Sequence, residues 1–111
     1  MKTIDIKSQF SDSLTNRDEF QRDGKFTGVE FREKFLKELD NAEAWMDNNP
    51  FITLDFSNVK RLGPSWANEV FAFFTKFANP KQILKKIVFK NISAVKLAII
   101  EKEIETGYFK K

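Results

Sequence analysis

The chain has 111 residues, 41% of them hydrophobic and 32% charged, a net charge of +3, thirteen Phe, and neither Cys nor His. That length leads us to expect one domain over residues 1–111, with a core filled largely by phenylalanine. The missing residue types exclude a disulfide framework, a thiolate zinc site, a thiol nucleophile, a histidine base and ordinary catalytic zinc.

Met1-Lys2-Thr3-Ile4-Asp5-Ile6-Lys7 interleaves charge with isoleucine and contains no apolar run of signal-peptide length. The greasiest stretch, Phe71-Ala72-Phe73-Phe74, is soon interrupted by Lys76, so no membrane span is expected and the expected location is the cytoplasm. Charge is unevenly spread: residues 1–50 sum to −3 and residues 51–111 to +6. Lys60, Arg61, Lys76, Lys81, Lys85, Lys86, Lys90 and Lys96 could face a phosphate backbone. The favoured reading is plainer, lysines solvating outer faces, because the set is mostly lysine and poor in the arginine that reads base edges.

In chain order, Thr3 to Lys7 alternates and predicts a short strand with Ile4 and Ile6 on one side. Residues 8–26 carry Phe10, Leu14, Phe20 and Phe26 at irregular spacing, with a turn signal at Asp23-Gly24, and read as a strand or loop excursion. Thr27-Gly28-Val29-Glu30 offers a capping box. Behind it Phe31, Phe35, Leu39, Ala42 and Met46 form one helical stripe, widened by Leu36 and Trp45 and stopped at Asn48-Asn49-Pro50. Residues 51–56 predict a strand with Ile52, Leu54 and Phe56 on one face. A link over 57–62 leads to a second helix from Ser65, carrying Trp66, Val70, Phe73, Phe74 and Phe77 and ending near Asn79-Pro80. Residues 86–90 read as a buried strand, and Asn91-Ile92-Ser93 caps a last helix running to about Gly107. Helices between strands imply crossover units and an at least partly parallel sheet.

The most informative place is Gly63-Pro64-Ser65-Trp66-Ala67-Asn68-Glu69, a sharp turn opening a helix. A nucleophile elbow would need a base for the serine proton; the chain has no histidine and is too short for that fold. A plain helix cap also accounts for the residues: Ser is a favoured N-cap, worth about 1 kcal/mol, Pro64 stiffens the approach, and Gly63 permits a tight turn. A third reading is regulatory.

The run Ile52-Thr53-Leu54-Asp55-Phe56-Ser57-Asn58-Val59, followed by Gly63-x-Ser65-Trp66-Ala67-Asn68-Glu69-Val70-Phe71, resembles the central signature of STAS-like domains. These are relatives of anti-sigma-factor antagonists and of the cytoplasmic domain of sulfate transporters. The tail of the motif is closer to an uncharacterised bacterial STAS-like family, and the likeness extends over residues 24–39 and 87–91. In that superfamily a strand with an aspartate leads into a phosphorylatable serine, so the resemblance marks Asp55, Val59 and Ser65, with Ser65 as a possible phosphoacceptor. This chain carries Gly63 and Trp66 where phosphorylated antagonists have Asp and Gly. The implied fold is a small α/β sandwich, with a mixed sheet and helices packed mainly on one face.

The resulting expectation is a non-catalytic regulatory module that docks through residues 57–71 onto a protein partner such as a histidine-kinase-type ATPase or other regulator. Asn58, Lys60, Arg61, Ser65, Trp66, Asn68 and Glu69 are the candidate contact residues. Trp66 reads equally as a core anchor or an exposed hot spot. Glu69 complements the helix dipole, and Asp55 reads as a strand-end carboxylate bonding the turn in preference to one of a catalytic pair with Glu69. The alternative is a small basic nucleic-acid-binding module using the C-terminal lysines. Helical spacing puts Phe73, Phe74 and Phe77 in the core and leaves Phe71 as the exposed member. No cofactor loop or metal-ligand spacing is present, no membrane partner is expected, and oligomeric state is not legible.

Overall fold

The structure, a computed structural model, describes residues 1–16 and 26–109. Among these the chain forms β1 (Lys2–Asp5), α1 (Ile6–Gln9), β2 (Ser13–Leu14), α2 (Gly28–Phe35), β3 (Ile52–Asp55), β4 (Arg61–Leu62), α3 (Pro64–Val70), α4 (Pro80–Lys86), β5 (Ile87–Lys90) and α5 (Ala94–Thr106). Three 3-10 segments lie at Lys37–Leu39, Ala42–Trp45 and Ala72–Lys76. The main sheet has the order β1-β3-β5, and β2 pairs separately with β4. The architecture is the expected α/β, but all of these pairings are parallel where a mixed sheet was expected. The central strand explains its own composition: Ile52, Thr53 and Leu54 are all buried, as befits a parallel strand covered on both faces.

Several elements follow their sequence signals closely. Thr27 Oγ1 accepts from Glu30 N at 3.2 Å to start α2, and Ser93 Oγ accepts from Lys96 N at 3.2 Å to start α5. Gly107 ends α5 in a backbone conformation of φ +92°. Phe10 and Leu14 do tuck into the core, whereas Phe20 and the Asp23-Gly24 turn lie outside the described residues.

Other elements differ, each for a local reason. The first strand stops at Asp5, because the Asp5 carboxylate accepts from Ser8 N and the Gln9 carboxamide accepts from Asp5 N, which winds residues 6–9 into α1. Ile4 and Ile6 are nevertheless both buried. The long helix expected to reach Met46 ends at Phe35. Asn41 diverts the backbone beyond it, donating to Glu38 O at 3.0 Å and accepting from Ala44 N at 3.0 Å. Such local side-chain bonds compete with helix propagation. The stripe loses phase accordingly: Leu36, Leu39 and Trp45 are buried, while Met46 is 84% exposed.

The second helix likewise shortens to α3, followed by the 3-10 segment Ala72–Lys76. Asn79-Pro80 is both a stop and a start. Asn79 and Gln82 exchange reciprocal bonds at 2.9 Å around a proline at the first helical turn, giving α4, which periodicity had not revealed. Phe71, expected to be exposed, is fully buried between the Trp66 and Phe89 rings, at centroid distances of 5.8 and 5.4 Å.

Helix α3 packs on both α2 and α5. Its approach to α2 is close enough to require glycine: a Cβ on Gly28 would stand 2.9 Å from Glu69 Cβ and 3.3 Å from the Trp66 carbonyl oxygen. Backbone cannot yield there as a flexible side-chain tip would. Gly28→Ala is therefore expected to cost about 1–3 kcal/mol of stability by overpacking, read from the midpoint of urea unfolding. A wild-type midpoint would contradict the α2–α3 approach described here.

Candidate functional site

The strand-to-helix turn is assembled from its own side chains. The Asp55 carboxylate, at the end of β3, accepts from Ser57 Oγ at 2.7 Å, from Ser57 N at 2.9 Å and from Asn91 Nδ2 at 3.1 Å. These bonds hold its pKa below the usual carboxylate range, the Ser57 hydroxyl first, then the Ser57 amide and Asn91, with Lys90 adding attraction. Asp55 thus acts as the strand-end residue that bonds the turn. Val59 N then donates to Phe56 O at 3.1 Å, and Asn58 bends the chain at φ +62°, a conformation asparagine adopts more readily than most residues.

The far side of the turn is sewn to the N-terminal segment. Lys60 N and Arg61 N donate to Asp12 O at 2.8 and 3.2 Å, and Gly63 N donates to Leu14 O at 2.7 Å. Val59 is buried beneath. The outcome is an exposed but pinned segment that presents Asn58, Lys60, Arg61, Pro64 and Ser65 to solvent. Lys60 Nζ stands 3.9 Å from an Asp12 carboxylate oxygen, a long ion pair, with 76% of its side chain exposed.

At Ser65 the motif passes from solvent to core. Gly63, not Ser65, occupies the N-cap of α3, and it offers no side-chain cap; Pro64 and Ser65 are the first two helical residues. The Ser65 hydroxyl is therefore spare, neither capping the helix nor hydrogen-bonded among the described residues. Trp66 is 0% exposed and packs on Phe31 and Phe71, which makes it a core anchor and removes it from any free surface. Its Nε1–H meets no acceptor among the described residues.

Asn68 and Glu69 are equally internal. Asn68 Nδ2 donates to Glu103 Oε1 at 3.1 Å and to Gly107 O at 3.0 Å, and Asn68 Oδ1 accepts from Phe109 N at 3.1 Å. Glu69 Oε2 accepts from Arg32 at 2.8 Å, while Arg32 Nε donates to the Glu69 carbonyl at 3.1 Å. The Tyr108 hydroxyl bonds the same carboxylate at 3.2 and 3.3 Å. Burying this ion pair makes loss of one partner expensive, about 3–5 kcal/mol. The seven candidate contacts therefore split: Asn58, Lys60, Arg61 and Ser65 share the exposed turn, whereas Trp66, Asn68 and Glu69 hold the interior together.

Arg32 and Tyr108 escaped the sequence reading. Arg32 follows Gly28 by four residues and precedes Phe35 by three, so it lies on the buried side of α2. A basic residue in that stripe is the signal that a buried acid faces it. Tyr108 had no comparable signal, standing beyond the glycine that ends α5.

A pinned surface turn, a serine without a base, and a motif half absorbed into the core define a small α/β domain organised as a scaffold. Residues 27–96 match the model of the STAS-like domain of unknown function (DUF4325), which is more than half of the chain, and the chain belongs to that family. STAS-like domains generally act without catalysis. Comparison with curated proteins and with solved structures gave no significant match. Among the described residues no helix is long and apolar enough to cross a membrane.

The lowered pKa of Asp55 carries a pH signature. A carboxyl whose folded-state pKa lies below its unfolded value adds stability above the unfolded pKa, and that contribution is lost as pH falls through the folded value. Asp55→Asn should therefore lower Tm at pH 7, with the gap to wild type closing progressively below about pH 3.9, the ordinary aspartate value. A gap that stays constant from pH 7 to pH 2 would show that the Ser57 and Asn91 bonds do not favour the charged form.

Proposed function

We propose that the chain is a non-catalytic regulatory module that docks a protein partner through its exposed 57–65 turn, with Asn58, Lys60, Arg61 and Ser65 as the contact residues. The observation carrying this reading is that the turn is solvent-facing yet fastened at both ends, by Asp55 with Ser57 and Asn91, and by Asp12 and Leu14. A segment already held in shape loses little conformational freedom on binding. Membership of the STAS-like family supports a regulatory role. The partner class is the one implied by the wider STAS resemblance, a histidine-kinase-type ATPase or a related regulator. Two exposed cations on the turn favour an acidic docking face on that partner.

Ser65 is the proposed switch position. Transfer of the γ-phosphoryl group of ATP by a partner kinase would form an O–P bond at Ser65 Oγ, releasing ADP and the hydroxyl proton. The product brings about −1.5 to −2 charges to a docking surface. Placed against an acidic face, that charge repels and ends binding. Trp66, Asn68 and Glu69 take no part in this docking, since their side chains lie inside the fold.

Binding to a candidate regulator by isothermal titration calorimetry tests the reading. Ser65→Asp and Arg61→Glu are each expected to weaken affinity tenfold or more, which is about 1.4 kcal/mol, and Ser65→Ala to retain it. Wild-type affinity in both charge variants would contradict docking through this turn.

A further inference from the structure

Two stretches of the chain carry opposite charge, and the 57–65 turn uses neither. Residues 38–47 hold Glu38, Asp40, Glu43 and Asp47 with no Lys or Arg. Residues 79–100 hold Lys81, Lys85, Lys86, Lys90 and Lys96 with no Asp or Glu. Part of this charge is matched within the chain, since Asp47 pairs with Lys86 at 2.6 Å and Asp40 with Lys76 at 3.4 Å. Glu38, Glu43, Lys81 and Lys85 are exposed and have no ion pair among the described residues.

An apolar tip stands on the acidic stretch and a cleft lies on the basic one. Met46 is 84% exposed, yet its base is fixed. Trp45 beside it is buried on the Phe74 ring at 5.5 Å and donates its indole N–H to Leu39 O at 2.8 Å. Asp47 on the other side accepts from Lys86 Nζ at 2.6 Å and from Asn49 N at 2.8 Å. A methionine so mounted is a flexible, polarisable tip that moulds to irregular recesses. The cleft is open and largely carbon-lined, about 430 Å³, between Asn79, Pro80 and Lys81 at the start of α4 and Glu105 of α5. Lys85 follows Lys81 by one turn of α4 and shares its side. The α4 wall is therefore basic, and Glu105 is the acid on the wall opposite.

We propose that this cleft between α4 and α5 receives Met46 of a second copy of the chain, with Glu38 and Glu43 set toward Lys81 and Lys85. The chain itself supplies both halves of the match: an apolar tip flanked by unpaired acids, and a carbon-lined cleft flanked by unpaired lysines. Met46 does not fill the cleft of its own chain, because it stands in solvent. Tip and cleft occupy different places, so the contact is heterologous and each copy can add another, head to tail. Both halves are formed before contact, which limits the ordering cost. A net charge of +3 on every copy opposes close approach, so association needs concentrated protein. The test requires no regulator, and its outcome is independent of docking through the 57–65 turn.

Sedimentation velocity on the full chain, from about 10 µM to about 1 mM, reads association by mass action. The weight-average sedimentation coefficient of wild type is expected to rise about 1.5-fold or more over this range. Met46→Glu removes the tip and Lys81→Glu reverses the charge of the cleft wall; each variant alone should stay monomeric. An equimolar mixture of the two retains one intact tip and one intact cleft, and should form a heterodimer and nothing larger. Wild type that stays monomeric throughout overturns the proposal and leaves the cleft to a different protein. Association that persists in both variants, or a mixture that stays monomeric while wild type associates, also overturns it.

The methionine methyl resonances of wild type decide the matter if either variant lacks the wild-type far-UV spectrum. The chain has two methionines, Met1 and Met46. The Met46 methyl signal is expected to shift with protein concentration while that of Met1 stays in place. A Met46 signal that does not move while the chain associates overturns the assignment.

Discussion

Everything else in the molecule is arranged around the burial of one short helix. From Trp66 to Phe71 every residue is shielded from water, so beyond its first two residues α3 has no outward face. A helix apolar all round belongs in a core, but this one brings two polar side chains inside, and each must find partners there. Glu69 finds Arg32 and Tyr108, and Asn68 finds Glu103 and the residues after α5. The glycine at position 28 follows from the same constraint, because α2 must come close enough for Arg32 to reach its acid.

That burial also divides the motif into two parts with different duties. Before Ser65 the chain is a surface turn whose shape is set by backbone bonds to the N-terminal segment and by an aspartate at the strand end. After Ser65 it is a structural post. A contact surface drawn across the whole motif would put a buried tryptophan and a buried ion pair in front of a partner, and neither can reach one without unfolding α3. The divide leaves four exposed candidates and transfers Asn68 and Glu69 to a second role, as the wall on which residues 107–109 rest.

Strands β3 and β5, the caps at Thr27 and Ser93, and the glycine stop of α5 were legible because each is written in adjacent residues. Lost from view were features decided by distant partners or by competing local bonds. Asn41 breaks a stripe that looked continuous through Met46, and Asn79-Pro80 begins a helix where it appeared only to end one. Periodicity placed Phe71 outside because it assumes one solvent-facing side, an assumption that fails for a helix enclosed by α2, α5 and the Phe89 ring. At the site, the turn was recognisable from Asp55, Val59 and Ser65. The inward placement of Glu69 goes with Arg32 and Tyr108, more than thirty residues away in either direction, and that of Trp66 and Asn68 with Phe31 and Glu103, equally distant in sequence.

The enclosure of α3 is most directly tested by tryptophan fluorescence in a Trp45→Phe chain, where Trp66 is the sole indole. A buried Trp66 gives blue-shifted emission that acrylamide scarcely quenches, returning to solvent-like behaviour only with global unfolding in urea. Red-shifted emission in the native chain, quenched as readily as free tryptophan, would mean that the helix faces water and that the division of the motif is wrong.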